Sequence, residues 1–177
     1  MRRGIEAAVS GIKICYVYAK KAALQPGSYR DDKERFYNYV ARKLLESIVG
    51  ACRCLGVTEV HIRFGHVKHH DHGRTKTYLE SAMAKNPRLA GGLVKSMRWV
   101  SADRYAESQA ADLFGGFLKA ATWPAGPFGY VEASYLLSVW HLIHNSEECA
   151  IPLGIMSMPE YAVLTSEAWF PCARCPK

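Results

Sequence analysis

The sequence predicts a single α/β domain, and three observations support this. Residues 12–18 are rich in β-branched and aromatic residues, which is typical of a strand. A long amphipathic helix follows, and a second strand comes directly after the helix ends. The length of 177 residues fits one domain of about 100–200 residues, with enough buried surface for a core without disulfides.

The first helix has the clearest pattern. Asp31 and Glu34 form a capping box that predicts its start, and Gly56 predicts its end. Steps of three and four residues predict one buried stripe, formed by Phe36, Val40, Leu44, Ile48, Ala51 or Cys52, and Leu55.

The remaining elements follow in order along the chain. A turn at 26–28 precedes the first helix, and a strand at 57–64 follows it, with Ile62 facing one side and Arg63 the other. After a histidine-rich loop, short elements are expected: helices at 75–84, 109–121 and 131–144 and a strand at 97–101, with a break at 123–127. The proline-containing C-terminal segment is expected to be mostly irregular, including a tail at 161–177.

Charge is unevenly distributed. Residues 1–104 hold 20 Lys and Arg against 9 Asp and Glu, a balance of +11, whereas residues 105–177 carry a balance of −4. A basic segment favours a polyanion such as nucleic acid, because Lys and Arg displace counterions from phosphates. A solvated basic surface without a partner is the alternative.

Cysteine placement and the N-terminus indicate a cytoplasmic protein. Cys52 and Cys54 lie in a helical pattern in which neighbours two apart cannot easily pair, so free thiols are expected. The start of the chain has arginines like a signal peptide, but its apolar stretch is short and contains Glu6. No apolar run approaches the ~18 residues of a membrane helix. The terminal Cys172 and Cys175 form half a zinc site at best, with no second pair at the right spacing.

Two segments could carry chemistry. Residues 66–72 contain four His and one Asp, which could bind zinc or form a polar loop that places Lys68 and Arg74 near phosphates. Asp112 lies in a helix with small neighbours at Gly115 and Gly116, so its carboxylate is expected to be shielded and to need a metal ion or another partner. An exposed Asp112 is the alternative.

The order of several motifs points to a family. A helix opens with Arg35-Phe36-Tyr37-Asn38-Tyr39-Val40, and a strand and loop follow at 60–71. Val100-Ser101-Ala102-Asp103 then leads into Ser108-Gln109-Ala110-Ala111-Asp112-Leu113-Phe114-Gly115-Gly116, and Pro152-Leu153-Gly154-Ile155 precedes Pro159. Through these motifs, over about residues 12–160, the chain resembles the domain-of-unknown-function family 3800.

This resemblance implies a ribonuclease H-like layered fold, with a central mixed sheet flanked by helices, and a divalent-metal site that acts on nucleic acid. Asp112 matches the family's C-terminal carboxylate, and Gln109 matches its partner one turn earlier. Members of the family usually begin with a strand carrying Asp-Glu-Ser-Gly, which has no counterpart here. We therefore expect either an N-terminally truncated chain or a fold kept without a complete site.

Two functions follow as expectations. One is a nuclease that uses Mg²⁺, or Mn²⁺ as a substitute, with Asp112 and Asp71 as catalytic metal ligands. The nucleic acid would then contact Lys68, His69, Arg74, Arg104 and Gln109. The other is a non-catalytic domain of the same fold that binds nucleic acid or another protein.

Overall fold

The computed structural model describes residues 11–27, 29–87, 89, 92–124, 129–145 and 149–175. The signal-peptide-like residues 1–10, the end of the 26–28 turn and most of the 123–127 break lie outside these ranges. Four strands and five helices are described, in the order β1 (Tyr16–Ala19), α1 (Lys33–Cys54), β2 (Val60–Gly65), α2 (His72–Lys85), β3 (Val94–Val100), α3 (Ala106–Thr122), α4 (Ser134–Ser138), β4 (Ile155–Met158) and α5 (Ala162–Thr165).

The strands form two parallel pairs, β1 with β4 and β2 with β3. In the first pair Tyr16 lies opposite Ile155, and in the second Gly65 lies opposite Val100. Parallel neighbours need long connections, and α2 supplies the one between β2 and β3. The predicted α/β class is therefore confirmed.

Helix α1 begins one residue later than predicted and buries a partly different stripe. Asp32, not Asp31, caps the helix by accepting a hydrogen bond from the Arg35 backbone N–H at 2.9 Å. Asp31 accepts one from the Gly27 N–H at 2.6 Å. The most buried positions are Asn38, Ala41, Leu45, Ser47, Val49 and Ala51. The predicted stripe is only partly right: Ala51 is buried, but the last member, Leu55, is 52% exposed. The other buried positions lie off the stripe because α1 is covered on more than one side.

Each strand pair has its own core. Leu45 and Val49 of α1 pack with Leu79 of α2 and Ile62 of β2. The other core surrounds β1 and β4 and includes Leu118 of α3 with four residues of the C-terminal half, Leu136, Ile143, Leu164 and Phe170. Because α1 also contacts β1 and β4, it lies between the two strand pairs.

The C-terminal part departs most from the predictions. The helix expected at 131–144 is reduced to α4 and a 3₁₀ turn at Trp140–Leu142, and β4 lies in a segment expected to be irregular. β4 was missed because it is only four residues long and is bounded by Pro152 and Pro159. Among the described helices, none combines the length and apolar character needed to cross a membrane.

Candidate nucleic-acid interface

The candidate site lies where β2 and β3 end. Because the strands are parallel, their carboxyl ends lie at the same sheet edge, and the His66 backbone N–H donates to the Val100 carbonyl at 2.9 Å. Lys68 and His69 follow β2, and Arg104 follows β3 in a 3₁₀ turn. All three side chains are exposed. The structure therefore brings three of the predicted contact residues to one edge.

The histidine-rich loop is held by its own rings. His72 lies edge-on to His66 at a centroid distance of 4.1 Å and to His70 at 5.4 Å. The Val67 backbone N–H lies 3.1 Å from Nε2 of His72, which accepts the hydrogen bond. His70 Nε2 lies 2.6 Å from the Thr75 hydroxyl. These contacts fix the loop that carries Lys68.

The same contacts favour a neutral His72. Burial lowers its pKa, and the neighbouring His66 and His70 lower it further. A neutral imidazole leaves Nε2 free to accept from Val67, as the geometry requires. In the part of the chain that the structure describes, the loop's nitrogens do not converge as a zinc site requires. The polar-loop interpretation is the one the geometry favours.

Asp71 has a structural role at this edge. Its carboxylate caps α2 by accepting the Arg74 backbone N–H at 3.0 Å, which is why α2 begins at His72 and not at Thr75. The Arg74 guanidinium lies 3.2 Å from the Glu34 carboxylate. Both partners of that ion pair are partly solvated, so it contributes little to stability but reduces the positive charge Arg74 presents.

Asp112 is exposed, so the expectation of a shielded carboxylate was wrong. Nothing lies within 4 Å of where a Cβ would stand on Gly115 or Gly116. α3 instead packs through Ser108, Leu118 and Ala121. Phe114 and Phe117 also pack against the core, so Ala111, Gly115 and Gly116 lie on the solvent side of the helix.

Gln109 links α3 to the turn after β3. Its amide donates to the Asp103 carbonyl at 3.5 Å, and the Asp103 carboxylate accepts a hydrogen bond from the Ser101 hydroxyl. That hydrogen bond is the main reason why the pKa of Asp103 is lowered. Gln109 and Asp112 are three residues apart, so they lie on neighbouring positions of one exposed helix side. Asp112 therefore lies one turn further from the sheet edge.

The carboxylates at this edge do not form a complete Mg²⁺ site within the described ranges. Mg²⁺ requires near-octahedral oxygen ligands, commonly including one or two carboxylates. Asp71 caps α2 and Asp103 accepts from Ser101, whereas Asp112, the other predicted ligand, forms no hydrogen bond or ion pair with a described residue. No three acidic or histidine side chains in those ranges come close enough to share an ion.

A basic sheet face beside this edge was not predicted. In the β2–β3 register Arg63 lies opposite Arg98, and both are exposed. Arg63 lies 3.6 Å from the Glu107 carboxylate and 5.0 Å from the centre of the Tyr105 ring. Arg98 has no ion-pair partner in the described part of the chain. The alternation of β2 indicated that Arg63 faces outward, but pairing it with Arg98 requires the strand register.

The fold and site together define an α/β protein with an exposed, charged edge at the carboxyl ends of a parallel strand pair, where Lys68 and Arg104 lie near Asp71 and Asp103. No family, no curated protein and no solved structure matches this chain.

Proposed function

We propose that this protein binds nucleic acid through the edge formed by the β2–α2 loop and the turn after β3. The observation that carries the proposal is the exposure of Lys68, His69 and Arg104 together at the carboxyl ends of two paired strands. Lys68 forms no ion pair with any described residue, so its charge is available to a phosphate.

Arg63 and Arg98 extend the same charge over the open face of the β2–β3 pair. Lysine and arginine contacts to phosphates position a protein on nucleic acid without reading its sequence. The proposal is therefore sequence-tolerant binding in the cytoplasm, on a scaffold of the ribonuclease H-like type suggested by the motifs at 100–116.

Salt-dependent binding tests this proposal. A fluorescent oligonucleotide is titrated with the full chain at several salt concentrations, and the logarithm of affinity is expected to fall linearly with the logarithm of salt. Replacement Lys68→Ala should reduce that slope by about one, and Lys68→Glu with Arg104→Glu should weaken binding further.

The matched control is Lys119→Glu, near the end of α3 and on the order of 20 Å along the helix from its start. This variant should bind as the unchanged chain does. Absence of binding at low salt, or equal losses for the control and the double variant, would rule out this interface.

Cleavage of the bound nucleic acid is a second candidate. The exposure of Asp112 beside Gln109, which contacts the turn at the sheet edge, favours it. Asp112 would then be one ligand of a Mg²⁺ or Mn²⁺ ion and Asp71 a weaker candidate, with further ligands supplied by substrate phosphates or water. If so, Asp112→Asn abolishes Mg²⁺-dependent cleavage and leaves binding intact. If the unchanged chain binds nucleic acid but does not cleave it, the cleavage proposal fails and only the binding proposal stands.

A further inference from the structure

Three cysteines meet beside the core around β1 and β4. Cys172 and Cys175, near the C-terminus, lie next to Cys149, which precedes β4, and the Cys149 and Cys175 sulfurs are 3.3 Å apart. All three Sγ atoms lie within 4.8 Å of one another. Among the residues that the structure describes, no other group of three or more possible metal ligands is this close.

The sulfur spacing suits a metal ion better than a disulfide. A disulfide places its sulfurs about 2.05 Å apart, well below the observed 3.3 Å. Zinc–thiolate bonds of about 2.3 Å in tetrahedral geometry place neighbouring sulfurs about 3.8 Å apart. The 3.3 Å between Cys149 and Cys175 is close to that value, and the Cys172 sulfur lies within 4.8 Å of both, so small side-chain shifts would bring all three sulfurs to one ion.

The surroundings also suit zinc. Cys175 is 7% exposed and is part of the apolar core, while Cys149 and Cys172 are half-buried. Trp169 and Phe170 pack in the same core. Thiols are weak hydrogen-bond donors and acceptors, so a cluster of three gains little from its own contacts. As thiolates, however, they are the soft ligands that zinc prefers.

We propose that Cys149, Cys172 and Cys175 bind one Zn²⁺ ion that fastens the C-terminal segment to the region before β4. Three thiolates fill three of the four positions that zinc prefers, and water or another donor fills the fourth. Because each thiol must lose its proton to bind, zinc uptake releases protons and strengthens as the pH rises. Bound between residues on both sides of β4 and α5, the ion would close the loop that contains these two elements and stabilise it.

Metal content of the full chain tests the proposal. After purification with a reductant and without chelator, elemental analysis should find about one zinc per chain in the unchanged protein. Cys172→Ser is the main variant, because Cys172 is only half-buried and its replacement should not disrupt the core. The zinc content of this variant should fall close to zero. Cys54→Ser, an exposed cysteine at the end of α1, is the matched control and should keep the zinc.

Two further measurements make the result independent of folding defects. After chelation under reductant, added Zn²⁺ should raise the melting temperature of the unchanged chain and of Cys54→Ser but not of Cys172→Ser. Added Co²⁺ should give a thiolate-to-metal absorption band in the unchanged chain and in Cys54→Ser, but not in Cys172→Ser. The proposal is overturned if the reduced chain takes up neither ion, if Cys172→Ser binds zinc as the control does, or if thiol counting of fresh protein finds two of these three sulfurs joined in a disulfide.

Discussion

Gly154 lies against the backbone carbonyl of His144, and a Cβ on Gly154 would stand 1.8 Å from that oxygen. The two residues meet just before β1, where the chain changes partners between Ile14 and Tyr16. The Ile14 carbonyl accepts from the His144 N–H at 2.9 Å, and two residues later the Tyr16 N–H donates to the Gly154 carbonyl at 2.7 Å. Segments 142–144 and 154–158 thus follow one another along the same side of residues 14–19, and only a residue without a side chain fits where they meet.

Gly154→Ala should therefore be strongly destabilising. A methyl group cannot occupy a position 1.8 Å from a backbone oxygen, so the strand pair must separate locally. We expect a loss of about 3 kcal/mol or more in the free energy of unfolding, measured by urea denaturation. Gly116→Ala is the control, because its Cβ meets nothing within 4 Å. It should gain about 0.5–1 kcal/mol, as alanine is the better residue within a helix. Similar losses in both variants would contradict this packing.

Local patterns predicted the helices near the candidate site better than they predicted which sides are buried. The α3 region was expected as a helix, and it is one. The burial of Asp112 was wrong, because small neighbours indicate close packing only if they face another element. Gly154, which does make such a contact, depends on segments brought together along β1, and its sequence neighbours give no sign of this.

In the candidate site, too, local sequence features were predicted and contacts between distant residues were not. Lys68 and Arg104 were predicted from charge and position, but their common edge depends on the parallel β2–β3 pairing. The third sulfur of the cysteine cluster was missed, because Cys149 lies 26 residues before Cys175 and no spacing rule connects them. Contacts between residues far apart in the chain could not be read from local periodicity.

The stability of the fold should depend on pH through His144. This ring is 3% exposed, and its Nε2 has no hydrogen-bond partner among the described residues. Burial lowers the pKa of His144, and the nearby Lys13 lowers it further. The unfolded chain therefore binds a proton near pH 6.5 that the folded chain rejects. Stability should fall as the pH drops below about 6.5 and level off below the folded-state pKa.

Melting curves between pH 7 and pH 5 check this expectation. His144→Gln should reduce the pH dependence, leaving the contribution that His72 makes in the same direction. His61→Gln is the control, because His61 is exposed. An unchanged slope in His144→Gln would show that another group controls the response.

The two candidate carboxylates should respond differently to replacement. Asp71→Ala should cost about 1 kcal/mol of stability, because it removes the cap of α2, whereas Asp71→Asn should keep most of that capping. Asp112→Ala should change stability by less than about 0.5 kcal/mol, because the side chain is exposed. Urea denaturation of the three variants without divalent metal separates these roles. A large loss in Asp112→Ala would indicate a structural contact that the exposed position does not explain.

Replacing Arg98 should improve stability and weaken nucleic-acid binding in the same protein. Arg98 lies opposite Arg63 on an exposed face, and like charges on neighbouring strands destabilise a sheet by a few tenths of a kcal/mol. Arg98→Thr removes that repulsion and introduces a residue that favours strands, so the melting temperature should rise slightly.

If the open face contacts phosphates, Arg98→Thr also loses one phosphate contact, and the salt slope of oligonucleotide binding should fall by about one. Arg35→Thr, an exposed arginine in the first turn of α1, is the control and should keep the salt slope. A salt slope unchanged in Arg98→Thr but reduced in Lys68→Ala would confine binding to the edge after β2 and β3.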